Sequence, residues 1–112
     1  MNIVTTVRDG ATIMSIEGRL DGHHAQAAES AFLALTSEGH SHFIFDFTQM
    51  QYISSAGLRV VLVAAKKVRT LQGRLICASM SAQVHDVFEM SGFLSILETA
   101  ASTDEALALL KA

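Results

Sequence analysis

FIFDFTQMQYISSAGLRVVLVAAKK, residues 43–67, holds an apolar strand, a serine-bearing junction and an amphipathic helix in immediate succession. Phe43-Ile44-Phe45 is followed by Asp46 and Phe47. A short apolar run without alternation predicts a strand buried on both faces, here over 42–47. Farther on, Leu58, Val61, Leu62, Ala65 and Val68 recur at helical spacing, while Arg59, Lys66, Lys67 and Arg69 are free to stay in water. That helix is expected to run to about residue 71 with Gly73 as its stop, and the basic residues near its end suit the negative pole of the helix dipole. Residues 48–53 read as a loop leading into Ser54-Ser55-Ala56-Gly57. A serine at a strand-to-helix junction serves as an N-cap, accepting a bond from a free backbone N–H. The same helix end, with its unpaired N–H groups and positive pole, also welcomes an anion such as phosphate.

On the N-terminal side, residues 3–7 and 13–17 read as strands, and Asp9-Gly10 between them is a strong hairpin signal. Gly18 and Gly22 bracket a loop that carries Asp21. A first helix should start near His23 or His24, with Ala25, Ala28, Phe32 and Leu35 on its apolar face, and stop at Glu38-Gly39. On the C-terminal side, residues 75–78 form the next buried strand, and Ser79 or Ser81 caps a third helix with Val84, Val87 and Phe88 inward and Gly92 at its end. Residues 94–97 read as a short last strand, and Ser102-Thr103-Asp104-Glu105 is a capping-box match opening a final helix. The order β-β-α-β-α-β-α-β-α predicts a single α/β domain over residues 1–112. Its sheet is mixed and mostly parallel, with an N-terminal hairpin, and the first two of about four helices cover most of one face.

Composition narrows the function. A chain of 112 residues that is half hydrophobic is one domain with a real core. A net charge of −3 leaves no electrostatic footprint for nucleic acid. No apolar run is long enough for a bilayer and no signal-like segment opens the sequence, so no membrane partner is expected. A lone cysteine, Cys77, excludes an internal disulfide and fits a reducing cytoplasm. Cys77 lies in an apolar strand and reads as a buried structural thiol. His23-His24, His40-Ser41-His42 and His85 match no zinc spacing, so neither a metal nor another cofactor is expected. Met50, Met80 and Met90 read as gap fillers. Neither a Gly-x-Ser-x-Gly elbow nor a Walker loop is present, and Ser55 has no identifiable base, so an enzyme is not expected.

The junction resembles the STAS domain, the family of sulphate transporters and anti-sigma factor antagonists. Its pattern is an aspartate ending a buried strand, a short loop, then Asp-Ser-Ser/Thr-Gly-Leu opening a helix. Asp46 matches the strand aspartate and Gly57-Leu58 the Gly-Leu. Gly18-Arg19-Leu20-Asp21, Gly73-Arg74-Leu75 and Ser91-Gly92-Phe93 resemble further family segments in order along the chain. The resemblance implies a non-enzymatic, cytoplasmic switch. Its partner would be an anti-sigma factor that is also a serine kinase of the histidine-kinase-like ATPase fold. Phosphorylation would release that partner, and a PP2C-type serine phosphatase would reset the switch.

The sequence departs from the pattern at one place. Ser54 stands where the family has Asp, Ser55 where it has the first Ser, and Ala56 where the phosphorylated Ser most often lies. A switch must therefore use Ser55 or, alternatively, Ser54. The expected partner-binding set is Asp21, Asp46, Ser54, Ser55, Ala56, Gly57 and Arg59. Asp21 and Asp46 are expected on one rim of the sheet, fixing loops rather than moving protons. Gly57 is expected to let the helix start tightly against the loop, where any side chain could crowd a partner's backbone, so that Gly57→Val weakens docking far more than folding. A phosphorylation-independent interaction module is the alternative that Ala56 and the missing motif aspartate favour.

Overall fold

The computed structural model describes residues 1–111. Its elements are β1 (Asn2–Arg8), β2 (Ala11–Leu20), α1 (Ala25–Ser37), β3 (His42–Asp46), β4 (Met50–Ile53), α2 (Ser55–Thr70), β5 (Arg74–Ala78), α3 (Ala82–Met90), a 3-10 turn (Phe93–Ser95), β6 (Glu98–Ala100) and α4 (Thr103–Lys111). The sheet order is β1-β2-β3-β5-β6, with β4 paired separately to β2. β1 and β2 are antiparallel, and every other pairing is parallel. The hairpin turn is Asp9-Gly10, both at positive φ (53° and 81°), the left-handed pair that a two-residue turn between right-twisted strands requires.

The sheet separates two cores. One packs Met14, Ile16, Phe43, Phe45 and Phe47 against Ala28 and Phe32 of α1, against α2, and against Val84 and Phe88 of α3. The other sets Ala11, Ile13, Ile44 and Ile76 against Ala106 and Leu107 of α4. Alternation within Phe43-Ile44-Phe45 thus divides between two apolar layers, which is why the run shows no polar face. Phe32, Phe43, Phe45, Phe47 and Phe88 form a continuous chain of ring contacts, with centroids 4.8–6.4 Å apart.

Four expectations are corrected. Residues 50–53 are a strand, not a loop: β4 continues the line of β3 and pairs with the far end of β2. A register shift between Gly18 and Arg19 permits this, with Gly18 at φ 88° and its N–H donating to the Gln49 carbonyl at 2.9 Å. The apolar run at 94–97 is not a strand either. Gly92 turns left-handed, residues 93–95 tighten into a 3-10 turn, and the pairing with β5 falls to Glu98–Ala100. The buried stripe of α2 is Leu58, Val60, Val61, Ala64 and Val68, because the helix contacts α1 as well as the sheet, and Leu62 and Ala65 are only half-buried. Met90 fills no gap; it is 87% exposed, whereas Met50 is buried.

The glycine at the end of α2 also has another role. Gln72, not Gly73, takes the left-handed position (φ 57°). A Cβ at Gly73 would collide with the Ser41 carbonyl, so this glycine permits close approach of two chain segments.

Candidate functional site

The helix start is built from β2 outward. At the end of β2 the Leu20 carbonyl accepts the Ser54 N–H at 3.0 Å. Ser54, extended at φ −95° and ψ 176°, is the N-cap of α2: its Oγ accepts the Gly57 N–H at 3.3 Å and lies 3.5 Å from the same Leu20 carbonyl. Ser54 is half-buried and its hydroxyl is engaged on both sides. Ser55 is the first helical residue and is exposed, and its hydroxyl makes no hydrogen bond among the described residues. Ala56 is half-buried. Gly57 is buried against β2 and β4 rather than open to a partner. Its φ is unremarkable, but a Cβ there would run into the Leu20 carbonyl oxygen and come within 2.7 Å of Ile53 Cγ1 and 2.9 Å of Leu20 Cγ. The helix does start tightly against β2 and β4, as expected, but the expectation that Gly57→Val weakens docking far more than folding does not fit this packing, because a side chain there meets the domain's own backbone.

Asp21 follows β2 and organises the turn into α1. Its Oδ1 accepts the His23 N–H (3.1 Å) and lies 2.9 Å from His24 Nδ1, its carbonyl accepts the N–H groups of His24 and Ala25, and Arg19 Nε stands 3.7 Å from Oδ2. Burial works against ionisation, but the bond from His24 and the His23 N–H outweigh it and hold the carboxyl below its usual range. Asp46 makes a local turn of its own, accepting Thr48 N–H at 3.0 Å and Thr48 Oγ1 at 2.5 Å.

The two aspartates do not meet. Asp46 stands opposite Ser15, whereas Leu20 stands opposite Ile53 beside the serines. Five residues of strand, about 16 Å, therefore lie between the level of Asp46 and that of the serine junction. The Ser54 bond to the Leu20 carbonyl sets the start of α2 beside the Asp21 turn; Ser55 and Arg59 are exposed there, Ala56 is half-buried, Gly57 is buried beneath, and Asp46 lies apart. Arg59 and Ala56 line a crevice with Ala25, Gln26 and Glu29 of α1.

Two neighbours escaped the sequence reading. The Arg19 guanidinium stacks over the Tyr52 ring, 4.2 Å from its centroid, and Tyr52 is 41% exposed. Only the unforeseen pairing of β4 with β2 puts the two side by side. His40 is committed elsewhere, with its Nδ1 at 2.5 Å from the hydroxyl of buried Thr12. Among the described residues, no group of three or more His, Cys, Asp or Glu side chains is placed to hold a metal ion.

The small α/β domain thus sets the capped start of α2 beside the Asp21 turn at the end of β2. The chain belongs to the STAS domain family, whose model matches residues 2–106. It is 40% identical over 103 residues to the Bordetella bronchiseptica protein BtrV, named as an anti-sigma factor antagonist, covering 92% of this chain and 89% of that protein. It is 26% identical over 101 residues to the anti-sigma-B factor antagonist of Listeria monocytogenes, covering 88% of this chain and 89% of that one. Two solved structures share the fold. An anti-sigma factor antagonist from Mycobacterium paratuberculosis has a TM-score of 0.91 at 18% identity, covering 99% of this chain and 94% of that one. The Bacillus anti-sigma factor antagonist SpoIIAA in its unphosphorylated form has a TM-score of 0.76 at 18% identity, covering 98% of each chain.

Proposed function

We propose that this STAS domain is an anti-sigma factor antagonist that docks through the start of α2 and the Asp21 turn, and that phosphorylation of Ser55 releases it. The partner is an anti-sigma factor with serine-kinase activity on a histidine-kinase-like ATPase fold, a PP2C-type phosphatase reverses the modification, and the exchange takes place in the cytoplasm. The observation that carries the choice of residue is the division of labour between the serines. Ser54 Oγ is spent on the helix cap, whereas Ser55 is exposed with its hydroxyl unengaged among the described residues. Kinase action moves the γ-phosphoryl group of ATP to Ser55 Oγ, releasing ADP and the hydroxyl proton. The product carries about −1.5 to −2 charge. Within the domain, the free N–H groups of the first turn of α2 accommodate that charge. In a packed interface the same charge must be desolvated, which costs several kcal/mol where the contact is dry.

A second reading, a phosphorylation-independent module in a signalling complex, is favoured by Ala56 at the family's usual phosphorylated position. Incubating wild type, Ser54→Ala and Ser55→Ala with the cognate kinase and ATP, followed by intact-mass measurement, separates the two. Phosphate uptake by wild type and Ser54→Ala but not by Ser55→Ala is expected. Uptake by Ser55→Ala but not by Ser54→Ala moves the site to Ser54, and no uptake by wild type leaves the second reading.

A further inference from the structure

We infer that a phosphate on Ser55 is paired within the protein by Arg59, so that the modification withdraws a cation from the docking face as it adds an anion. This rests on the reading of Ser55 as the modified residue.

Ser55 is the first residue of α2 and Arg59 lies four positions later on the same helix. Side chains at i and i+4 are neighbours on a helix surface, and an acid N-terminal to a base at this spacing is the favoured order. Helical side chains also lean toward the N-terminus, so the Arg59 side chain lies back over the turn that begins at Ser55. Both residues are exposed.

Arg59 is the available cation at this end of the helix. Arg19 is held between the Tyr52 ring and Asp21. Arg8 and Arg74 are engaged with Asp104 and Glu98 near α4. Arg59 makes no ion pair within 4.0 Å among the described residues. The charged groups facing the pair from packed elements are Glu29 of α1, across the shared crevice, and the Asp21–His23–His24 turn. Glu29 stands outside ion-pair range of Arg59. Asp21 is already bonded to His23 and His24. Neither Glu29 nor Asp21 makes an ion pair with Arg59 within 4.0 Å.

The test encodes phosphoserine at position 55 of the full chain by codon suppression, in wild type, Arg59→Gln and Arg59→Lys backgrounds. The second ionisation of the phosphate is followed by phosphorus NMR from about pH 4 to pH 8, around its ordinary value near 6. Circular dichroism checks that all three proteins fold. A pKa lower by about 0.3 unit or more with Arg59 than with Gln is expected, with Lys between, and added salt should narrow the gap. The same pKa in all three backgrounds overturns the pairing. Because the phosphoserine is encoded, a kinase that ignores Ser55 would defeat the proposed function without moving this titration, and an unmoved titration would defeat the pairing alone.

Discussion

Replacing Gly57 by alanine adds one methyl group where there is no room for it. The new Cβ meets the Leu20 carbonyl, Ile53 Cγ1 at 2.7 Å and Leu20 Cγ at 2.9 Å, and the nearest of these is backbone that no rotamer change can clear. Overpacking of this kind costs about 1–3 kcal/mol. The displaced carbonyl also holds the Ser54 N–H at 3.0 Å, and weakening that bond adds about 1 kcal/mol. Together these give about 2–4 kcal/mol, which for a chain of this length lowers the melting temperature by about 8–16 °C. Gly57→Val should lose more. Gly22→Ala is the control, since a Cβ there meets nothing within 4 Å and φ is not left-handed, so it should melt within about 2 °C of wild type. Thermal and urea unfolding of the three proteins measure this. A Gly57→Ala protein that melts with the control would refute the reasoning and return Gly57 to a role in docking alone.

Three further outcomes follow from the same geometry. Ser54→Ala should cost about 1 kcal/mol in urea titration through the lost cap, whereas Ser55→Ala and Ser55→Asp should stay within about 0.5 kcal/mol of wild type. Burial pushes the Cys77 thiol up to about 12, so the folded state keeps its proton where the unfolded chain loses it. Stability from this group is therefore complete below pH 9 and falls as pH rises toward about 12, by at most ~4 kcal/mol, and Cys77→Ala should show a shallower alkaline decline in parallel unfolding titrations. The Asp21 carboxyl is held below its ordinary range, so its contribution is present above the unfolded value and disappears as pH falls through the folded one. Asp21→Asn should remove that part of the acid dependence, and equal acid midpoints for the two proteins would show that the turn contributes nothing.

Local signals were legible wherever one segment decided the outcome. The Phe43-Ile44-Phe45 run is buried between two layers, Asp9-Gly10 turns left-handed, Ser81 caps α3, and Ser102 with Glu105 caps α4. What could not be read depends on register. β4 alternates imperfectly, with Met50 and Ile53 inward and Gln51 and Tyr52 outward, because Gln51 is an extra residue in its pairing with β2, where Met50 stands opposite Gly18 and Tyr52 opposite Arg19. Nothing within residues 50–53 reports the register of the partner strand. The same register separates Asp46 from the serines and brings Arg19 onto Tyr52. On α2, which contacts α1 as well as the sheet, Val60 and Ala64 are buried while Leu62 and Ala65 are only half-buried, a shift of the stripe that spacing within the helix does not report. Leu94 to Leu97 carries strand-like residues, but left-handed Gly92 sets the chain into a tight turn before it rejoins the sheet.

The most direct measurement is calorimetric affinity of the cognate anti-sigma factor for unmodified protein and for protein carrying a single phosphate on Ser55. Tight binding of the unmodified form is expected, with a loss of at least about tenfold on phosphorylation, the least that desolvating a phosphate at the interface should cost. Equal affinity for the two forms would contradict a release switch at Ser55.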